Sequence, residues 1–123
     1  MGEFIEWLPR IGLVLTGLIG CIGLIKPELL VGPVGITMPS DGARSEIRAV
    51  FGGIHLGYTI PALLLNQPLV YVLIGCLWLG VTLSRLYSVV VDRAGVKSLF
   101  PALIVDAVLA GLFLSACRSG VWG

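Results

Sequence analysis

The chain has 123 residues, of which 57% are hydrophobic and only 12% charged, with a mean hydropathy of +1.03. A soluble domain carries about 25% charge, so the composition is that of an integral membrane protein, and the apolar runs leave no material for a large domain outside the bilayer. The net charge of +1 provides no attraction for nucleic acid or another polyanion.

A membrane span needs about 20 mostly apolar residues, and four segments qualify. The first runs from Leu8 to Ile25 and is closed by "KPE". Its leader "MGEFIEWLPR" is acidic, where a cleaved signal peptide has a basic start and a shorter core, so the segment reads as a retained span. Glu6 also stands where a myristoylation motif requires Ser or Thr. The connection "PELLVGPVGITMPSDGAR" is long, rich in Gly and Pro and still rather apolar, which predicts a piece folded over the membrane surface or partly re-entrant. The second span runs from Ser45 to Leu65, with Pro61 expected to kink or loosen it. "NQP" is a tight turn into the third span, Pro68 to Val91, and the charged "DRAGVKS" leads to the fourth, Leu99 to Cys117. Lipid offers no partner to an unpaired strand, so the spans are helices. The predicted fold is all-α: a single domain of four transmembrane helices.

Lys26, Arg44, Arg93 and Lys97 flank the first and third connections, against Arg10 and Arg118 on the other side. That balance places both termini outside the cytoplasm. Trp7, Tyr71 and Trp122 would form an interfacial belt at the terminal face, while Trp78 falls in mid-span.

Ionisable groups inside spans cost at least about 2.5–3.5 kcal/mol each when unpaired, so they turn inward and find partners. With a rise of about 1.5 Å per residue, His55 lies roughly 15 Å beyond the start of its span, Arg85 roughly 10 Å before Asp92, and Asp106 roughly 12 Å after Ser98. Three helices thus bring these groups to similar depth in one leaflet. At helical periodicity Arg48, Gly52, His55 and Thr59 share one stripe; Arg85 shares another with Trp78 and Val81, with Ser88 close by; Asp106 shares a third with Ala102 and Ala110. The expectation is an Arg85–Asp106 pair, with His55 and Arg48 near the same polar pocket. Glu46 lies off the Arg48 stripe, in the first turn, where a carboxylate suits the helix dipole.

Gly53-xxx-Gly57 in the second span, with neighbouring Gly52, Ala107-xxx-Gly111-xxx-Ser115 in the fourth, and Gly12, Gly17, Gly20 and Gly23 in the first read as small residues that let helices approach closely. They lie within spans and no GxxxxGK pattern occurs, so a phosphate loop is not indicated. Cys21, Cys76 and Cys117 are scattered through apolar runs without CxxC or metal-ligand spacing, which predicts buried thiols and no metal or cofactor.

The elements "EIRAVFGG" and "LSRLYSVVVDRAG", followed by an acid in the last span, resemble the bacterial "domain of unknown function 4345" family of small four-span membrane proteins. The resemblance extends from the first span onward, and its pattern maps onto Glu46, Arg48, Gly52, Gly53, Arg85 and Asp106. Family members usually carry Tyr at the position of Phe51 and Glu at those of His55 and Asp106, so a mechanism needing a carboxylate at position 55 is in doubt. The resemblance implies a bacterial inner-membrane protein and brings no known activity. The first span has no acid of the kind small multidrug transporters use, and the thiol motif of quinone-linked oxidoreductases is missing.

Three readings follow. The chain is a non-enzymatic accessory or assembly subunit whose polar layer fixes the bundle. Alternatively it binds or moves a small anion, lipid headgroup or proton through Arg48, His55, Arg85 and Asp106. Membrane enzymology is the weakest reading, because no nucleophile motif or paired carboxylates support it and no residue stands out as catalytic. The expected partners are membrane lipid and either a larger membrane complex or a second copy of the chain.

Overall fold

Proline, glycine and residues with left-handed backbone interrupt the apolar runs, and the helices begin and end there. The structure, a computed structural model, describes residues 2–93 and 95–119, which are all-α with no strand among them. Helix α1 spans Gly2–Ile25 and passes through Pro9, so it starts ahead of the expected Leu8. After Lys26 a short α2, Glu28–Val31, runs into a 3-10 turn at Gly32–Val34. Gly35, at φ +84°, ends that turn by donating its N–H to the Gly32 carbonyl at 2.9 Å, a conformation that favours glycine. Pro27 and Val31 are fully buried. The connection is therefore partly helical and anchored by apolar side chains.

The second long helix begins at Asp41, four residues before the expected Ser45. The Ser40 hydroxyl accepts a hydrogen bond from the Ala43 N–H at 3.1 Å, which satisfies one of the donors a helix start leaves over. This helix is continuous but changes its winding: α3 covers Asp41–Ile47, a π-helical stretch covers Arg48–Ile54, and α4 covers His55–Leu65 and continues through Pro61. Asn66 then adopts left-handed backbone (φ +47°), a usual helix stop. Pro68 occupies the first turn of α5, Pro68–Val91, where its missing N–H costs nothing. The Tyr71 hydroxyl donates to the Asn66 side-chain oxygen at 2.5 Å, fastening the turn. Helix α6 spans Val96–Leu114 and passes into a 3-10 turn at Ser115–Ser119.

Among the described residues, four segments are long and apolar enough to cross a membrane: Glu6–Ile25, Asp41–Leu65, Pro68–Val91 and Leu99–Cys117. Their outward positions carry Leu64, Leu73 and Val90, each 70% exposed or more, a surface suited to lipid rather than water. Cys21 and Cys76 are on the exposed surface as well, correcting the expectation of buried thiols; Cys117 is half-buried. Position 122 of the expected aromatic belt lies outside the described residues. Trp7 is exposed with the Arg10 guanidinium 4.9 Å from its ring, whereas Trp78 is a core residue.

The chain divides into two compact units. One comprises Leu13–Leu64; the other comprises Met1–Gly12 with Leu65–Gly123. In the first, the end of α1 crosses the π-helical stretch at very short range. A Cβ on Gly23 would come within 2.6 Å of the Phe51 carbonyl carbon, and one on Gly52 within 2.8 Å of the Leu24 nitrogen. In the second, a Cβ on Gly75 would meet Leu114 at 2.7 Å, and one on Gly12 would meet the Phe113 ring at 2.9 Å. Without a hydrophobic drive between helices in lipid, such backbone approach is a main source of packing attraction.

Candidate functional site

In the unit containing α5 and α6, the buried side chains fall on one stripe of each helix. Tyr71, Ile74, Gly75 and Trp78 form the stripe on α5, and Asp106, Leu109, Ala110 and Phe113 the one on α6, which continues into Ala116 of the following 3-10 turn. Spacings of three and four keep these residues on one face. Arg85 continues the α5 stripe two turns beyond Trp78. Asp106 stands at the opposite end of the α6 stripe from Ala116. An antiparallel hairpin brings those two ends together, and the Nε–H of Arg85 donates to Oδ2 of Asp106.

Asp106 is almost wholly buried, and the Arg85 side chain is 29% exposed. A carboxylate at that depth is tolerable only with a charged donor against it. Two other polar side chains of α5 bond their own helix: Thr82 donates to the Trp78 carbonyl and Ser84 to the Gly80 carbonyl, both at 2.9 Å. Ser88 is half-buried one turn past Arg85, its carbonyl accepting from the Asp92 N–H at 2.9 Å.

In the unit Leu13–Leu64, His55 is buried at the junction of the π-helical stretch and α4. Its Nδ1 lies 3.0 Å from the Val50 carbonyl oxygen. A carbonyl only accepts, so Nδ1 carries the proton. The backbone N–H of His55 meanwhile donates to the Gly52 carbonyl. One residue thus serves two carbonyls of the π-helical stretch, through its side chain and its backbone. Phe51 stacks on the imidazole at 6.1 Å and 7°, and Tyr58 tilts against it at 5.6 Å. One turn on, Thr59 and Thr16 approach to 2.8 Å, and Thr16 donates its only hydroxyl hydrogen to the Leu13 carbonyl at 3.1 Å. Thr59 is therefore the donor in the cross-helix bond.

The same unit contains an ion pair outside the expected layer. Glu28, in the connection, pairs with Nη2 of Arg44 in α3. The Glu28 carboxyl is held below the usual glutamate range, first by its own backbone N–H and then by Arg44, with Arg48 adding attraction and partial desolvation opposing. Arg48 is half-buried, and its Nε is buried without a hydrogen-bond acceptor among the described residues. Glu46 is exposed.

Of the expected polar layer, Arg85 and Asp106 are brought together in one unit, and Arg48 and His55 belong to the other. The glycine reading needs correction at three positions, while Gly12, Gly20, Gly23 and Gly52 do lie against a neighbour. Among the described residues, no atom of a neighbouring segment stands within 4 Å of a Cβ placed on Gly53, Gly57 or Gly111. The close approaches are at Gly12, Gly20, Gly23, Gly52 and Gly75. The GxxxG spacing drew attention to the open side of the helix; the neighbouring Gly52 is on the packed side. Sequence reasoning also missed Glu28–Arg44 and Thr16–Thr59. The first bridges a long irregular connection with no periodicity to place it. The second could have been found by asking which polar residue of α1 shares the stripe of Gly12, Gly20 and Gly23. Among the described residues no group of three His, Cys, Asp or Glu side chains is placed to hold a metal ion.

The family model "Domain of unknown function (DUF4345)" matches residues 6–117 of the chain. No curated protein and no solved structure matches the chain.

Proposed function

We infer, for a chain that belongs to the DUF4345 family and takes no assigned activity from it, that the protein is a non-enzymatic accessory or assembly subunit of the bacterial inner membrane. One observation carries the reading. Asp106, the buried carboxylate of the α5–α6 core, is engaged by Arg85 as a tie between helices. A carboxylate already occupied in this way holds two helices in register; a general base or ion carrier must change partners to work. The outward apolar surface of the four long helices gives such a subunit area for lipid and for a larger membrane complex.

The test removes the charges and keeps the packing. Protein carrying Arg85→Leu and Asp106→Leu together is purified gently from native membranes beside the wild type, and both are measured by native mass spectrometry. A stoichiometric protein partner kept by both forms supports the accessory role with a structural polar layer. A partner-free wild type that binds or moves a small ion, and loses that property in the double variant, overturns it.

A further inference from the structure

The strongest unexplained feature of the molecule is Arg48. Arg44 and Arg48 are four residues apart on one helix face, at the start of the apolar segment Asp41–Leu65. Glu28 approaches that face from the connection and bonds Arg44; its charge also feels Arg48, without bonding it. Arg48 Nε remains buried with no acceptor among the described residues. A guanidinium N–H removed from water and left unpaired carries a full desolvation cost, and a membrane-facing helix gives it little water to fall back on.

We propose that Arg48, with Arg44 beside it, receives a phosphate-type oxyanion at the membrane face where the second long helix begins. The Nε edge of a guanidinium offers two parallel N–H donors, from Nε and one Nη, that fit two oxygens of a phosphate. Arg44, with its side chain 35% exposed, is the second cation, and Glu28 competes for it. Asp41 shares the helix face two turns earlier, and Lys26 flanks the connection. Carboxylates therefore balance most of the positive charge nearby, so recognition rests on the planar fork of Arg48 rather than on net charge, and lysine is no substitute. Two sources offer this chemistry, a phospholipid phosphodiester and free phosphate. The inference does not depend on the accessory role.

The experiment uses the full chain in detergent, titrated separately with phosphatidylglycerol by native mass spectrometry and with inorganic phosphate by calorimetry. Arg48→Lys, Arg48→Gln and Glu28→Gln are compared with wild type, and circular dichroism and thermal midpoint confirm that each is folded. The expected result is saturable binding of one probe per chain, weakened about tenfold or more in both Arg48 variants, as loss of a charge-assisted hydrogen bond dictates. Glu28→Gln, which frees Arg44, should tighten binding a few-fold. Binding of phosphatidylglycerol alone makes the ligand a lipid headgroup; binding of inorganic phosphate as well makes it a soluble oxyanion. No binding of either probe by wild type overturns the proposal, as does wild-type affinity in folded Arg48→Lys. If Arg48→Gln does not fold, the lysine and Glu28 variants decide the matter, and weaker binding in folded Glu28→Gln counts against the site.

Discussion

Arg85 and Asp106 are 21 residues apart in the chain, yet the Nε–H of one donates to the carboxylate of the other across the α5–α6 hairpin. The carboxylate is almost wholly buried and the guanidinium partly so, an asymmetry that decides what each substitution should do. Arg85→Leu leaves the buried carboxylate without its cation and should destabilise by about 3–5 kcal/mol, the usual cost of orphaning one member of a buried pair. Asp106→Ala leaves the partly exposed guanidinium and should cost less. Replacing both residues with leucine should recover most of the first loss. Unfolding in mixed micelles measures it; Arg85→Leu within about 0.5 kcal/mol of wild type would show that the pair holds nothing.

Two adjacent glycines offer a sharper test of packing. Gly52→Ala places a methyl 2.8 Å from the Leu24 backbone nitrogen, whereas Gly53→Ala meets nothing within 4 Å. The first should cost about 1–3 kcal/mol through overpacking. The second should be neutral or gain up to about 1 kcal/mol from helix propensity. Thermal midpoints in one detergent compare them directly. Equal effects would mean that α1 and the π-helical stretch do not cross as closely as described.

The Thr59-to-Thr16 bond predicts a small coupling. Thr16 keeps its bond to the Leu13 carbonyl when Thr59→Val is made, so only the cross-helix bond is lost. A double-mutant cycle with Thr16→Val should return about 0.6 kcal/mol, the average for hydrogen bonds between membrane helices. A value near zero would assign both hydroxyls to their own helices.

Glu28 predicts an acid dependence. Its folded pKa is depressed below the ordinary value of 4.5, by its own backbone N–H foremost and by Arg44 and Arg48 in addition. A depressed carboxylate contributes stability that is complete above its unfolded pKa and disappears as pH falls through the folded one. Wild type should therefore exceed Glu28→Gln in thermal midpoint at neutral pH, and the gap should close on acidification below about 4.5. A gap that is unchanged between pH 7 and pH 3.5, or absent throughout, would remove the ionic role of the pair.

Much of the core can be placed from residue spacing alone. The depth of Arg85 and Asp106 follows from helical rise, and their facing from stripes that also carry Trp78 and Ala110, so their meeting needed only an antiparallel hairpin. The short "DRAGVKS" connection between the third and fourth spans supplies one, and Arg93 takes left-handed backbone there (φ +55°). The second long helix was harder to read. Its start depends on whether Ser40 or a later residue caps it, and its winding on whether seven residues from Arg48 to Ile54 widen into a π-helix.

The sequence by itself determined that the chain is all-α, that four helices are apolar enough to cross a membrane, and that its mid-span charges must find partners. Those outcomes follow from hydropathy, length and the cost of unpaired charge, which are properties of each segment. Only the tertiary structure decided which glycines are pressed against a neighbour, that Glu28 bonds Arg44, and that the Nε of Arg48 is left over. Each of these depends on where a second segment passes, and a spacing of four residues reads the same whether the facing surface is another backbone or lipid.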